Sequence, residues 1–335
     1  MKIIIPMAGM GKRMRPHTLT TPKPLLPVAG KPMVQRIAED LAKLSPEKIT
    51  EIAFVIGRFG KEAENNLLQI AEKLGAKGKI FYQDEPLGTA HAILCAKECL
   101  DGKVLIAFAD TLFIPDPAAK IDTEKDGIIW VQKIQDPRQF GVVKLNSEGA
   151  ITDFVEKPAE FISDLAIIGI YYFKDGAYLK NEMQYLIDNN LKEKGEFQLT
   201  NAMENMKKKG TKFFTSQVAE WLDCGNKDAT VYTNQRILDV YKLNGENGKP
   251  KLENAKIIEP CFFGQNVVIK NSTVGPHVSI GSNCMVENST VKNSIIQANC
   301  KIKNATMSNS MIGNFVEYSG STADASVGDY SVIKN

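Results

Sequence analysis

At 335 residues the chain has room for two domains of about 150 residues each, one large core and a smaller second unit. With 41 Lys and Arg against 39 Asp and Glu, a net charge of +2 creates no field that would collect nucleic acid. No stretch reaches the roughly 18 uninterrupted apolar residues of a membrane span, and the N-terminus lacks a small-residue cleavage site, so a soluble, cytoplasmic protein without a membrane partner is expected. Six scattered cysteines without a Cys-x-x-Cys pair, and only three histidines, leave no zinc-ligand spacing and read as buried, reduced thiols.

Residues 2–7, 52–56, 79–82, 104–109, 127–133 and 166–173 are short apolar runs that read as strands. Between them, residues 33–44, 61–74 and 89–99 carry apolar side chains at spacings of three and four, the period of a helix. The alternation predicts a Rossmann-like, mixed but mostly parallel α/β sheet over residues 1–242. Such sheets bind ligands beyond the carboxyl ends of their strands, which directs attention to the loops after Met7 and Ala109.

Gly, Asn, Lys and Pro take over at residues 243–254, as in a linker. From residue 255 to 335 aliphatic or aromatic residues recur every five or six positions: Ile257, Phe263, Ile269, Val274, Ile280, Val286, Val291, Ile296, Ile302, Met307 and Ile312. That period is too long for a helix and too short for a hairpin, but fits a parallel β-helix of triangular section. The segment resembles the left-handed hexapeptide-repeat proteins, and its length at about 18 residues per coil implies about four to five coils. Val268, Val278 and Met285 read as lateral residues that would join subunits of a homo-oligomer.

The first strand runs into Ala8, Gly9, Met10, Gly11, Lys12 and Arg13. Glycines at 9 and 11 let backbone N–H groups approach an anion. Met14 stands where a dinucleotide motif needs its third glycine, and Arg13 where a P-loop needs Ser or Thr, so neither common motif fits. A glycine turn loaded with Lys12, Arg13 and Arg15, followed by Lys23 and Lys31, suits a triphosphate; a basic turn on a solvated face is the alternative. Read alone, Asp110 is also a turn or cap residue, Asp223 a turn residue, and Glu156-Lys157-Pro158 a surface turn.

Gly9-x-Gly11-x-Arg13-x-x-Pro16-x-Thr18, then Lys23-Pro24-Leu25-Leu26-Pro27 and Lys31-Pro32, resembles the opening signature of the sugar-1-phosphate nucleotidylyltransferases. Lys23 stands ten positions after Arg13, the spacing most similar to the glucose-1-phosphate thymidylyltransferase branch. The resemblance continues to about residue 240 and implies an enzyme in which a sugar 1-phosphate attacks the α-phosphorus of a nucleoside triphosphate, with Mg²⁺ as cofactor and pyrophosphate as the second product. It implies Arg13 on the leaving phosphates, Lys23 on the α-phosphate, Asp110 and Asp223 as Mg²⁺ ligands, and Ala8, Gly9, Gly11, Lys12, Gln83 and Gly88 around the nucleotide. Gly141, Glu156, Lys157 and Gly169 match the family's hexose pocket.

A carboxamide at Gln83 suits the N3–H and carbonyl of uracil or thymine, so dTTP or UTP is expected with a hexose 1-phosphate, foremost glucose 1-phosphate. The alternatives are a catalytically silent scaffold, a UTP:N-acetylhexosamine-1-phosphate enzyme and a GTP:mannose-1-phosphate enzyme. His91 reads as a helix-packing histidine. Ala109 departs from the glycine usual before the first aspartate. Because every assigned residue precedes the linker, a fragment ending near Asn244 is expected to fold and to retain transfer.

Overall fold

The computed structural model describes residues 1–116, 120–241, 248–321 and 323–334. Ile3, Ile4, Ile5, Phe54, Val55, Leu105 and Ile106 have no exposed surface, because their strands lie inside a sheet covered on both faces. The strand Lys2–Pro6 pairs in parallel with Glu51–Ile56 on one side and Val104–Ala107 on the other, and Glu51–Ile56 pairs in parallel with Lys77–Tyr82. Beyond Val104–Ala107 the sheet turns antiparallel through Leu165–Phe173, which also carries Gly127–Lys133. Helices α1 (Met33–Leu44), α2 (Lys61–Lys73) and α3 (Thr89–Cys95) follow the expected periods, although α3 stops at Cys95 and gives way to a 3-10 turn, Lys97–Cys99. Helices α4 (Gly176–Asp188), α5 (Leu199–Lys208) and α6 (Lys227–Val240) complete the set.

Strands Thr111–Ile114, Gly141–Leu145, Ile151–Glu156, Phe213–Ser216 and Glu220–Asp223 fall outside the expected set. They are short or half-exposed, as in Gly141–Leu145 where the last two residues face solvent, so no sustained apolar run marks them.

Packing divides the chain into two units, Met1–Gly9 with Gln35–Trp221, and Met10–Val34 with Leu222–Asn335. The first holds the mixed sheet. The second holds a parallel β-helix. One face of it stacks Lys251, Val268, Met285, Lys301, Glu317 and Val332 in register, so successive coils take 17, 17, 16, 16 and 15 residues, five coils among the described residues and each shorter than the expected hexapeptide multiple. The shortening sits at corners such as that between Ile269 and Val274, where the inward residues stand five rather than six apart. Asparagines hold left-handed backbone at the corners, Asn271, Asn288 and Asn304 at five-residue steps and Asn266, Asn283 and Asn299 at six-residue ones, the last three with φ of 57, 59 and 61°. Their amides form a ladder, Asn266 Nδ2 donating to Asn283 Oδ1 at 3.0 Å and Asn283 Nδ2 to Asn299 Oδ1 at 3.1 Å.

The first β-helix strand, Lys251–Glu253, begins inside the segment read as linker, of which residues 243–247 lie outside the described residues. Val278 is fully buried, which corrects its reading as a lateral contact; Val268 and Met285 are half-buried. None of the six cysteines is in a disulfide, and five are buried. No helix among the described residues is long and apolar enough to cross a membrane.

Within the second unit, Met10–Val34 packs on the tail and α6. Asn234 Oδ1 accepts from the Ala29 amide at 2.9 Å and from Ser279 Oγ at 2.7 Å. Gly30, at φ 82°, leaves the space that the Phe262 ring fills. His17 is 1% exposed and its Nε2 meets Ser326 Oγ at 3.1 Å, while Nδ1 has no partner among the described residues. Burial pushes the imidazole down to about 4, with Asp329 opposing and Lys227 reinforcing the shift. A folded value below the unfolded one means that the neutral ring stabilises the fold above about pH 6.5, and that this contribution, on the order of 3 kcal/mol, is lost as pH falls towards 4. Urea unfolding at pH 7 and pH 5 should therefore show a smaller acid-induced loss in His17→Gln than in the parent; equal losses would contradict a buried neutral His17.

Candidate active site

In the second unit the basic loop is built around Gly11, whose φ of 57° is the left-handed conformation that glycine adopts without strain. A Cβ there would stand 3.0 Å from Lys23 Cβ and 3.1 Å from Thr18 Cγ2, so the turn lies directly on the aliphatic stem of Lys23. Thr18 Oγ1 closes the turn by donating to Gly11 O at 2.8 Å. Lys23 is buried at 8% exposure and opens a 3-10 turn, Lys23–Leu25, whereas Lys12 and Arg13 in the preceding turn are exposed. Asp223, at the end of its strand, and Arg13 meet at Gly225. A Cβ on that glycine would lie 2.7 Å from Asp223 Oδ2 and 3.2 Å from an Arg13 guanidinium nitrogen. Thus Gly11, Lys12, Arg13, Lys23 and Asp223 belong to one unit, although Asp223 is two hundred and ten residues from Arg13 in sequence.

The first unit holds the other assigned residues. Ala8 is half-buried, and among the described residues nothing stands within 4 Å of the Cβ direction of Gly9, which leaves that backbone open to a ligand. Gln83 Nε2 lies 3.3 Å from Gly88 O, to which it donates, and 3.2 Å from His91 Nδ1. His91 therefore does more than pack its helix: it holds the Gln83 amide so that Oε1, an acceptor, is the end left for a ligand. Burial pushes the His91 imidazole below its ordinary value, which favours the neutral ring, and its Nε2–H tautomer leaves Nδ1 to accept. Gly88, at φ 116°, is a close approach of protein to protein, since a Cβ would stand 2.5 Å from Phe197 O.

Asp110 follows the strand Val104–Ala107 by three residues, in a turn closed by Thr111 N donating to Phe108 O at 3.1 Å. Gly169 supports that turn. Its carbonyl accepts from Phe108 N at 3.0 Å, and a Cβ on it would lie 3.2 Å from Thr111 Oγ1. Ala109 is 4% exposed, so the methyl that replaces the usual hydrogen is covered by protein. Gly141 and Glu156 are paired across neighbouring strands, with Glu156 Oε2 3.1 Å from the Gly141 Cβ direction and accepting from Thr200 Oγ1 at 3.3 Å. Desolvation pushes the Glu156 carboxyl above its ordinary range, opposed by Lys157, whose Nζ is 3.8 Å from Oε1. Lys157 sits at φ 43°, and Lys194 Nζ donates to its carbonyl at 2.7 Å and to that of Glu156 at 3.1 Å.

Sequence reasoning left Lys194 and the full role of residues 195–200 unassigned. Thr89 Oγ1 accepts from Leu199 N at 2.9 Å and donates to Gln198 Oε1 at 3.2 Å, while Thr200 reaches Glu156. The start of α5 thereby ties the Gly88 segment to Glu156. The composition of Gly195-Glu196-Phe197-Gln198-Leu199-Thr200 marks a helix start, but its partners are long-range and leave no local signal.

The first unit carries a Rossmann-like, parallel-dominated sheet, and the second a left-handed glycine turn with Lys12, Arg13, Lys23 and Asp223, an arrangement that matches no dinucleotide-binding fingerprint. A family model described as Nucleotidyl transferase matches residues 2–240, and the chain belongs to that family. It is similar to a low-salt glycan biosynthesis nucleotidyltransferase of Haloferax volcanii, at 29% identity over 88% of this chain and 87% of the relative. It is similar to a glucose-1-phosphate thymidylyltransferase of Streptomyces antibioticus, at 28% identity over 89% and 87%. A bifunctional GlmU protein of Methanocaldococcus jannaschii is 30% identical over 82% of this chain but 60% of its own length. Among solved structures, a UDP-glucose pyrophosphorylase complexed with UDP-glucose shares the fold with a TM-score of 0.58 at 23% identity, covering 72% of this chain and 99% of that one.

Proposed function

We propose that the protein transfers the nucleotidyl group of a pyrimidine nucleoside triphosphate, dTTP or UTP, to a hexose 1-phosphate, foremost glucose 1-phosphate. A phosphate oxygen of the sugar 1-phosphate forms a bond to the α-phosphorus as the bond to pyrophosphate breaks, with no protein nucleophile. Arg13, Lys12 and the amides of the Gly9 and Gly11 turn would hold the leaving phosphates, and Lys23 would meet charge that develops at the α-phosphate. Glu156 would accept from sugar hydroxyls and Lys157 would pair with the sugar phosphate.

Asp110 and Asp223 supply hard carboxylate oxygens, the donor chemistry that suits Mg²⁺ when water and substrate phosphates complete its shell. Among the described residues no group of three or more His, Cys, Asp or Glu is placed to hold a metal ion, so other ligands would come from solvent and substrate. When bound, Mg²⁺ supplies charge neutralisation at the triphosphate.

The observation that carries the pyrimidine reading is Gln83, whose Nε2 faces Gly88 O and His91 Nδ1, leaving Oε1 to accept from the N3–H of a pyrimidine dione. The named thymidylyltransferase relative, matched along nearly its whole length, supports the sugar. The test is pyrophosphate release with dTTP, UTP, CTP, ATP and GTP against glucose, N-acetylglucosamine and mannose 1-phosphates in Mg²⁺. The expected result is kcat/KM for dTTP or UTP with glucose 1-phosphate at least about tenfold above that for either purine triphosphate, about 1.4 kcal/mol of barrier. A preference for GTP with mannose 1-phosphate would overturn it, as would no release from any pair, the behaviour of a silent scaffold.

A further inference from the structure

The end of the β-helix reaches the basic loop through three contacts within the second unit. Thr20 Oγ1 donates to Asp329 Oδ2 at 2.7 Å, His17 Nε2 meets Ser326 Oγ at 3.1 Å, and Gly328 lies so close that a Cβ would stand 2.9 Å from Pro16 Cβ. Asp329 is itself held, since its Oδ1 accepts from Asn314 N at 2.7 Å and its Oδ2 from Asn314 Nδ2 at 3.3 Å. The same coils hold the segment after Asp223. Lys227, the first residue of α6, pairs with Asp324 and donates to Asn309 O at 2.9 Å, and Asn309 Nδ2 donates to Asp324 Oδ2 at 3.1 Å. Pro16, His17 and Thr20 fall between Arg13 and Lys23, and Lys227 stands four residues after Asp223.

We infer that the last two coils of the β-helix are a strut that positions the triphosphate-binding loop, with Asp329 and Ser326 as positioning residues acting through Thr20 and His17. The inference rests on the functional reading of Arg13 and Lys23 given above. Its physical basis is the contrast between the two partners. The loop runs from a left-handed glycine through two 3-10 turns of three residues each, and such segments have little rigidity of their own. The coils behind it are hydrogen-bonded in register to their neighbours, with Met311 and Ile312 pairing with Ser326 and Val327. A cation displaced by about 1 Å from a developing charge can cost about a hundredfold in rate, so a loop of this kind needs a stiff support.

The test uses the full-length chain with Thr20→Val and Ser326→Ala combined, and Thr20→Ser as the conservative variant that keeps the hydroxyl. Thr20 and Ser326 lie at the surface, and each change removes one hydrogen-bonding group without opening a core cavity. Two readouts are taken: amide hydrogen exchange over residues 12–21 without substrates, and KM for the triphosphate and the sugar 1-phosphate separately. The double variant should exchange at least about tenfold faster in that segment and raise KM for the triphosphate about fivefold, with KM for the sugar 1-phosphate within about twofold. Thr20→Ser should match the parent in both. Exchange unchanged in the loop overturns the inference whether or not the protein turns over, and faster exchange with an unchanged triphosphate KM overturns the link to the site. Absence of turnover in the parent would instead sink the functional reading, with exchange still deciding whether the coils hold the loop.

Discussion

Asp110→Asn and Asp223→Asn should each lower turnover at least about a hundredfold at saturating Mg²⁺, about 2.7 kcal/mol of barrier, while leaving the melting temperature near that of the parent. The substitution keeps volume and removes a charged oxygen donor. Asp110 sits in a turn whose backbone bonds, Thr111 N to Phe108 O and Phe108 N to Gly169 O, do not involve its side chain. Asp223 Oδ2 and an Arg13 guanidinium nitrogen both stand within 3.2 Å of where a Cβ on Gly225 would be. Retention of more than about a tenth of the parent rate by either variant, an effect under roughly 1.4 kcal/mol, would remove that residue from the proposed metal ligands. Excess Mg²⁺ separates weakened metal binding, which it would partly restore, from a loss of chemistry, which it would not.

Lys23 and Arg13 should divide by kinetic parameter. The stem of Lys23 fills the space against Gly11, so an alanine there would also disturb the turn; Lys23→Met keeps the stem and deletes the charge. It should lower kcat about a hundredfold with KM for the triphosphate changed less than about threefold, the signature of an interaction made in the transition state. Arg13 is exposed and assigned to the phosphates that leave, so Arg13→Ala should raise KM for the triphosphate about tenfold as well as slow turnover. Steady-state kinetics in both substrates, with binding of the triphosphate alone by calorimetry, checks the division. Equal losses confined to affinity in both variants would contradict it.

A fragment ending near Asn244, a cut outside the described residues, would keep every assigned residue but not all of their packing. Residues 10–34 share their unit with the tail, so the cut removes Ser279, Phe262, Ser326 and Asp329, the partners of Asn234, Gly30, His17 and Thr20. The basic loop would lose the surface on which it is laid.

What could be read from the chain is what depends on neighbours in sequence. The bounds of α1 follow from apolar spacing alone, and the alternation of Ile3, Ile4 and Ile5 with later aliphatic runs places the parallel strands, because fully buried strands need uninterrupted apolar side chains. The β-helix is legible for the same reason: each coil repeats its inward residues, and the five-residue steps at Val274 and Val291 already carried the short coils that averaging to a regular repeat hid. The glycine turn and its cations are likewise local. Tertiary structure alone decided their partners. The fixing of Gln83 by His91, the packing of Gly88 on Phe197, and above all the bonds of His17 and Thr20 to residues three hundred and nine positions away arise only when remote segments are brought together. Periodicity reports which face of a segment is buried; it carries no information about which distant surface covers it, since any apolar or hydrogen-bonding surface of the right shape would satisfy the same pattern.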